Sequence, residues 1–439
     1  MLLAGVAREK ITPPLGTCLF GYKPGVEATS VNDDINVNVL CLTDSHESVV
    51  FIDCDVGLLA NEVADRMRSE AAALTGFSKS HIVASATHTH SAPNISDMEG
   101  WGGIDNKFVD EILMPQALKA VAAAIGSLCR VRIGVGQTES RLGINRREID
   151  PESNVHLGQN PWGPFDPRLT VLSFIREDGS QLANVVHYGC HGTCAGCNHE
   201  VTRDWPGPMT DALEREYGGL AMFFNAASGD VGPRLSNGKT TGDISYVAEV
   251  GAVAAADALR ARQGISDYRD DAVIDVITGT VTLPYRPLPS RECLENELAD
   301  ILARYPDPSR LTNLKYLEYR HVRDMLDIYR QGKRPETEYS YEQTIIAVGG
   351  IAIVPFPFEL FSVIAMRLRH YSPFNDTLCI CNTNGSNVYL PNKEEICRGG
   401  YEIGVFRFGK AFGLTDDSDS LLIKQNLSLL IELFEKRRK

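Results

Sequence analysis

The sequence predicts an α/β (α+β) fold in which helices flank a mixed, buried β-sheet. Short apolar segments alternate with longer amphipathic segments along the chain, a pattern typical of strands and helices packed in layers. The 439 residues are 43% hydrophobic and 23% charged, which is an ordinary globular composition. No internal repeat, low-complexity tract or clean linker interrupts the alternation, so we expect one domain over residues 1–439.

Hydrophobic periodicity locates the elements of the first half of the chain. It predicts strands at residues 37–43, 49–53, 81–86, 130–135, 169–174, 182–188 and 221–225. It predicts helices at residues 61–73, 106–127, 209–217 and 245–262. Residues 145–166 are rich in Asn, Pro, Gly and Trp, which predicts an active-site loop rather than a domain boundary.

The second half of the chain repeats this mixture. Strands are predicted at residues 273–283, 343–348, 350–354 and 378–382. Helices are predicted at residues 293–304, 314–329, 359–368 and 421–436. Glu359 would then lie in the first turn of a helix, where a carboxylate often only complements the helix dipole.

The charge balance excludes several classes of partner. The formal net charge is −14, from 57 acidic and 43 basic residues, without a basic stripe, so we expect no nucleic-acid binding. No signal peptide opens the sequence and no segment is apolar enough to insert into a membrane. Eleven cysteines in such a chain indicate reduced thiols. We expect a cytoplasmic protein, and the sequence leaves a homo-oligomer open.

The first candidate ligands follow the predicted strand 81–86, in the run SATHTHS at residues 85–91. Residues two apart in extended backbone face the same side, so His88 and His90 could point into one pocket. Imidazole is a common zinc ligand. A polar loop that happens to contain two histidines explains the pair equally well.

The second candidate cluster is HYGCHGTCAGCNH at residues 187–199, again after a predicted strand. In one interpretation His191 joins a site of histidines and carboxylates, and the cysteines only pack. In another, Cys190, Cys194 and Cys197 have the spacing of the triad that holds the iron–sulfur cluster of radical S-adenosylmethionine enzymes. The mid-chain position and Gly196 before the last cysteine differ from that motif. The thiols could also hold a structural zinc.

Three later runs complete the set. FNAASGDVGPR at residues 224–234 is a small-residue turn that could let backbone approach a ligand, or simply form a tight corner. PFPFEL at residues 355–360 sets Glu359 among Phe and Pro, where a carboxylate favours a cation as partner. NVYLP at residues 387–391 contains Tyr389 and is followed by Tyr401.

Together these runs resemble the neutral/alkaline ceramidase family, and the similarity extends over most of the chain from the opening AGVAREKITPP at residues 4–14. The resemblance implies four zinc ligands, which are His88, His191, Glu359 and Tyr389. It implies the Zn²⁺-dependent cleavage of a carbonyl C–N bond by metal-activated water, and a fold like the neutral ceramidase catalytic domain.

The resemblance also implies roles for other residues around the metal. Tyr401, twelve residues after Tyr389, matches a second functional tyrosine that would stabilise an oxyanion. Arg146, in an Asn-Arg pair, would position the substrate, and His90 would transfer a proton or orient the substrate. Asp230 and Gly232 belong to the substrate-binding turn.

Two departures from the family affect the expected substrate. Family members that cleave ceramide have Gly-Asp-Val-Ser-Pro, whereas this chain has Gly232 in place of the serine. We also expect a short form that lacks the family's C-terminal immunoglobulin-like domain. We therefore expect a small-molecule N-acyl amide rather than ceramide. An ester or lactone, the radical enzyme and a non-catalytic metal-binding protein are the alternative functions.

Overall fold

The computed structural model describes residues 1–410 and 412–437. The strands are β1 (Leu3–Lys10), β2 (Ser30–Val31), β3 (Asn36–Thr43), β4 (Ser48–Cys54), β5 (Ile82–Ala86), β6 (Cys129–Glu139), β7 (Gly143–Ile149), β8 (Val155–Asn160), β9 (Arg168–Arg176), β10 (Gln181–Tyr188), β11 (Glu200–Val201), β12 (Leu220–Asn225), β13 (Val231–Pro233), β14 (Ile274–Pro284), β15 (Glu338–Val348), β16 (Ile351–Pro355), β17 (Glu359–Leu360), β18 (Asp376–Ile380) and β19 (Tyr389–Leu390).

The helices are α1 (Asn61–Thr75), α2 (Asn106–Phe108), α3 (Met114–Gly126), α4 (Pro206–Tyr217), α5 (Ser245–Gln263), α6 (Arg291–Arg304), α7 (Asn313–Gln331), α8 (Ser362–Tyr371), α9 (Lys393–Ile396), α10 (Tyr401–Phe408) and α11 (Ser418–Lys436). A π-helical turn, Val109–Leu113, joins α2 to α3. None of the described helices is long and apolar enough to cross a bilayer.

Two mixed sheets form the centre of the protein. The larger has the strand order β12-β10-β9-β6-β1-β3-β4-β5, and the smaller has the order β14-β15-β16-β18. In the larger sheet, β4–β5 and β10–β12 are parallel pairs, and the other neighbours are antiparallel. The structure therefore confirms the predicted mixed α/β fold class, with two central sheets and three small ones in place of one.

The side-chain alternation of the strands explains why the two sheets pack face to face. Along β3, Leu40 and Leu42 join a core that also contains Ile346 and Ile353 of the smaller sheet. The alternate residue Val39 points to the opposite face and packs in the core under α1 and α3. Because both faces of β3 are buried, its sequence is almost wholly apolar, as expected for a strand covered on both sides.

Short pairings outside the two sheets bring the candidate ligands together. Thr89 and Gly192 form a parallel bridge, which joins the loops that follow β5 and β10. Glu359 and Tyr389 are register partners in the parallel β17–β19 pair. Arg146 lies on β7, which pairs with β13 next to the Asp230 turn.

Most predicted elements are confirmed, with three corrections. Residues 145–166 are not one loop, since β7 and β8 form an antiparallel hairpin there and β13 extends it. The helix predicted at 359–368 begins at Ser362, so Glu359 lies on strand β17 and not in a first helical turn. Strand β1, which pairs with β3 along its whole length, was not predicted from the sequence.

Candidate metal centre

His88 presents one ring nitrogen to the candidate site. It follows β5 and adopts a left-handed backbone with φ of 70°, a conformation that is uncommon for non-glycine residues. Its Nδ1 lies 2.7 Å from the Gly57 carbonyl oxygen, which can only accept a hydrogen bond. In the neutral ring, Nδ1 is therefore the protonated nitrogen and Nε2 carries the lone pair, the tautomer found in histidines that bind metals through Nε2.

His191 is oriented in the same way after β10. Its Nδ1 lies 2.8 Å from the Ser228 carbonyl oxygen and 3.1 Å from that of Val231, so its Nε2 is also the unprotonated nitrogen. Burial, together with the positive charge of Arg146, lowers the pKa of His191 to about 3. Next to it, a Cβ on Gly192 would lie 2.7 Å from the His88 carbonyl oxygen, so only glycine permits the close approach of the two loops.

Glu359 places an unsatisfied carboxylate oxygen between these two nitrogens. Its Oε2 lies 3.2 Å from Nε2 of His88 and 3.1 Å from Nε2 of His191. This oxygen is buried and makes no hydrogen bond. With both rings in the neutral form, three lone pairs thus face one another without a proton between them, an arrangement that costs free energy unless a cation lies there. The donor set of two imidazoles and a carboxylate fits zinc.

Tyr389 completes the arrangement next to Glu359. Its hydroxyl oxygen lies 3.4 Å from Nε2 of His191. The same oxygen accepts a hydrogen bond from Nη2 of Arg146 at 3.0 Å. Burial and the Glu359 carboxylate raise the pKa of the Tyr389 hydroxyl well above its usual value, whereas the Arg146 charge acts in the opposite direction. Arg146 is therefore a partner of one candidate ligand.

His90 lies in the same cluster. Its Nε2 is 3.5 Å from Nε2 of His88, and its buried Nδ1 has no hydrogen-bond partner. Burial, followed by the neighbouring His88 and His191 rings, lowers the pKa of His90 well below its usual value. One ring nitrogen of each of these three histidines lies within 4.8 Å of the others. His90 could serve as a further ligand or as a neutral base.

The cysteine cluster does not form a comparable centre. Over residues 1–410 and 412–437, no cysteine belongs to a group of at least three His, Cys, Asp or Glu residues with ligand atoms as close as those of the three histidines. Cys190 and Cys194 are buried, whereas Cys197 is exposed. Burial raises the pKa of the Cys190 and Cys194 thiols well above the usual value. The geometry therefore gives no support to the iron–sulfur hypothesis.

A buried ionic network, which was not predicted from the sequence, lies behind Tyr389. Nε of Arg146 donates to Oε1 of Glu402 at 2.8 Å, and Nη1 of Arg147 donates to Oε2 of the same carboxylate at 2.8 Å. The side chain of Glu402 is 1% exposed. Glu402 thus fixes the guanidinium that contacts Tyr389. The only sequence signal was its position directly after Tyr401.

A mainly apolar cavity of about 290 Å³ opens onto the centre. Its walls include Tyr401, and the Tyr401 and Trp101 ring centroids are 6.4 Å apart. Burial raises the pKa of Tyr401, so its hydroxyl stays a proton donor at neutral pH. The residues that line the cavity are Gly21, Tyr22, His90, Trp101, Arg146, Leu157, Thr193, Thr240, Thr241, Asn313, Leu314, Tyr389 and Tyr401.

Asp230 and Gly232, predicted to bind substrate, lie behind the cavity wall. Asp230 accepts hydrogen bonds from the Ser362 backbone N–H at 2.7 Å, the Ser362 hydroxyl at 3.0 Å and Nδ2 of Asn145 at 3.3 Å. Burial raises the pKa of Asp230 to about 7. Gly232 pairs with Ile144 in the β7–β13 ladder. Their direct contact with substrate stays a prediction.

Comparison with known proteins shows which known fold this architecture resembles. No protein-family model matches the sequence, and no curated protein matches it. Among solved structures, neutral ceramidase from Pseudomonas aeruginosa superposes with a TM-score of 0.75 at 16% identity, over 99% of this chain and 75% of that chain. A ceramidase complexed with C2 gives a TM-score of 0.74 at 15% identity, with the same coverage of both chains. The chain has the neutral ceramidase fold.

The neutral ceramidase fold accounts for the separation of the site residues along the chain. His88 and His191 follow strands of the larger sheet, whereas Glu359 and Tyr389 come from the short β17–β19 pair beyond the smaller sheet. The centre therefore depends on the packing of both sheets. The fold confirms the expected architecture, and the histidine cluster gives it a candidate metal site.

Proposed function

We propose that this chain is a zinc-dependent amidohydrolase of the neutral ceramidase family that cleaves the carbonyl C–N bond of a small N-acyl amide. His88, His191, Glu359 and Tyr389 would hold the zinc ion. The observation that carries the proposal is the buried Oε2 of Glu359, which faces two unprotonated imidazole nitrogens and makes no hydrogen bond. The chemistry that zinc supplies in such a site is polarisation of a carbonyl group and activation of water.

Tyr401 and His90 supply the groups that hydrolysis requires besides the metal. Negative charge develops on the carbonyl oxygen as the new C–O bond forms, and the Tyr401 hydroxyl stabilises it by donating a hydrogen bond until the C–N bond breaks and the carbonyl is restored. The leaving amine must gain a proton. His90, neutral and with a free buried nitrogen, accepts the proton of the attacking water and delivers it to the amine.

Arg146 has two roles at this site. Two of its nitrogens are engaged by Glu402 and Tyr389, so the guanidinium fixes the orientation of the Tyr389 ring. Its Nη1 makes no hydrogen bond to another described group, and Arg146 lines the cavity. This third nitrogen is therefore available to bind an oxygen of the substrate.

The cavity supports a small substrate. Its volume of about 290 Å³ is at the lower end of the range for small-molecule sites, and its walls are mostly apolar. An acyl chain of moderate length fits such a space, whereas most of a long-chain ceramide would remain outside. A short N-acyl amide is thus the substrate class that we infer, with a cytoplasmic setting as in the sequence prediction.

Turnover of a substrate panel before and after metal removal tests the proposal. Short N-acyl amides, the corresponding esters and lactones, and a fluorescent long-chain ceramide would be compared. We expect amide hydrolysis that a chelator abolishes and that Zn²⁺ restores, and Glu359→Gln should be inactive. Glu216→Gln, a change at an exposed glutamate, is the matched control. Metal-independent turnover, or efficient turnover of ceramide alone, would contradict the proposal.

A further inference from the structure

Gly232 packs against the side chain of Thr240, which forms part of the cavity wall. A Cβ atom on Gly232 would lie 2.6 Å from Cβ, 3.0 Å from Cγ2 and 3.3 Å from Oγ1 of Thr240. Two non-bonded carbon atoms cannot lie only 2.6 Å apart, so a side chain at position 232 would force one of the two residues to move. The Thr240 side chain can therefore pack here only because residue 232 is a glycine and has no Cβ atom.

The backbone next to Thr240 is anchored beside the candidate metal centre. The Thr240 carbonyl oxygen accepts a hydrogen bond from Oγ1 of Thr193 at 2.8 Å, and Thr193 is two residues from His191. The Thr240 residue is 4% exposed, and it lines the cavity together with His90 and Tyr401. A threonine in this position has little freedom to move away from the site.

The Thr240 hydroxyl remains free to bind a ligand. None of the hydrogen bonds among residues 1–410 and 412–437 involves its Oγ1. Donors that line the site include Nη1 of Arg146 and the hydroxyls of Tyr22 and Tyr401, which suit oxygen atoms of a substrate. An amide also carries an N–H that needs an acceptor in a mostly apolar cavity. A hydroxyl oxygen can accept that hydrogen bond.

We propose that the Thr240 hydroxyl accepts a hydrogen bond from the substrate N–H and thereby makes this site selective for amides over esters. The inference rests on the proposed hydrolase function and adds a specificity-determining residue to it. An ester has no N–H to offer, so it gains nothing from this hydroxyl. A site that pairs a substrate N–H discriminates strongly against analogues that lack it.

A matched pair of substrates tests this role. Hexanoyl p-nitroanilide and p-nitrophenyl hexanoate share the acyl group and differ in the atom that leaves. Thr240→Val, which keeps the shape and removes the hydroxyl, should lower kcat/KM for the anilide by about 10- to 100-fold. The ester should change by no more than about threefold, on the scale expected for lost packing alone. An equal fall for both substrates, or no fall for the anilide, would overturn the proposal.

Exchange of the two side chains tests the geometry independently of catalysis. Gly232→Ser alone should lower the melting temperature because its Cβ collides with Thr240. The double variant Gly232→Ser with Thr240→Ala should regain most of that stability. Its serine hydroxyl, one bond beyond the new Cβ, should also recover part of the anilide activity that Thr240→Ala alone loses. Additive effects of the two changes on the melting temperature would show that the residues do not share this space.

Binding separates failure of this inference from failure of the proposed function. If the unmodified protein hydrolyses neither substrate, the hydrolase proposal fails. The affinity of the zinc-loaded protein for N-methylhexanamide and for methyl hexanoate then tests Thr240 directly. Thr240→Val should weaken amide binding by about fivefold or more and leave ester binding unchanged. Equal changes for both ligands would refute the role of the hydroxyl.

Discussion

Glu359 and Tyr389 are direct register partners in a parallel pair of two-residue strands, β17 and β19. Thirty residues separate them in sequence, yet this pairing sets the carboxylate and the hydroxyl side by side against His191. The pairing is short and lies at the ends of buried segments. A metal ion held by both side chains would therefore also tie these two segments together.

Tyr389→Phe should weaken zinc binding by about 10- to 100-fold, the usual effect of losing a ligand or its orienting partner. The change removes the hydroxyl and leaves Nη2 of Arg146 without its acceptor, while the ring packing is retained. Competition with a zinc-binding dye measures the affinity. Tyr371→Phe, at an exposed tyrosine, is the matched control and should have no effect. Equal affinities of Tyr389→Phe and the unmodified protein would remove Tyr389 from the ligand set.

Glu402→Gln should destabilise the protein by about 3 kcal/mol, because it leaves the buried Arg146 and Arg147 guanidinium groups without their shared carboxylate. Urea unfolding in the presence of zinc measures the loss. The exposed residue Glu432 provides the control Glu432→Gln, which should change the unfolding free energy by less than about 0.5 kcal/mol. A loss of similar size in both variants would mean that the bridging carboxylate is not essential to the network.

The ligand loops could be predicted from sequence because they follow strongly apolar strands. The runs at His88 and His191 begin where β5 and β10 end, so periodicity alone locates them. Glu359 was predicted as a candidate ligand from the sequence, but the strand on which it lies was not predicted. β17 and β19 contain two residues each and owe their form to tertiary pairing rather than to any local pattern.

Two other features of the site could not be predicted for a different reason. The β7–β8 hairpin is rich in Asn, Gly and polar residues, so its pattern is typical of a loop, and β13 stabilises it through long-range pairing. The role that we propose for Thr240 depends on the space left by the missing Cβ of Gly232, which no spacing in the sequence reveals. Both features depend on contacts between segments that are far apart in the sequence.

The buried His187 should make stability depend on pH in the acid range. Its Nε2 donates to the Cys379 carbonyl oxygen at 2.8 Å, and burial lowers its pKa to about 4. The unfolded state, with an ordinary pKa of about 6.5, binds the proton more tightly. The stability that this group contributes is thus complete above about pH 6.5 and is lost as the pH falls toward about 4, by up to about 3 kcal/mol.

Urea unfolding of His187→Gln at pH 7 and at pH 4.5 measures this contribution. The variant should lose less unfolding free energy between the two pH values than the unmodified protein loses. His370→Gln, at an exposed histidine, should behave like the unmodified protein. If His187→Gln shows the full acid dependence, the titration of other groups is responsible.

The double variant Cys194→Ala with Cys197→Ala should keep the metal and most of the activity. Cys194 is buried and Cys197 is exposed, and neither belongs to the histidine group. A modest loss of stability from the small cavity at Cys194 is expected. Metal analysis and amide turnover check the outcome. Loss of both the metal and the activity, or iron and sulfide in the native protein, would favour a cysteine-held cluster.

Anomalous X-ray scattering from crystals of the native protein, recorded on both sides of the zinc absorption edge, tests the central claim most directly. We predict one strong zinc peak at about 2.0–2.3 Å from Nε2 of His88, Nε2 of His191, the Glu359 carboxylate and the Tyr389 hydroxyl. Crystals of Glu359→Gln should show this peak much weakened. A peak beside Cys190 and Cys194, or none between the two histidines of zinc-soaked crystals, would contradict the assignment of this metal centre.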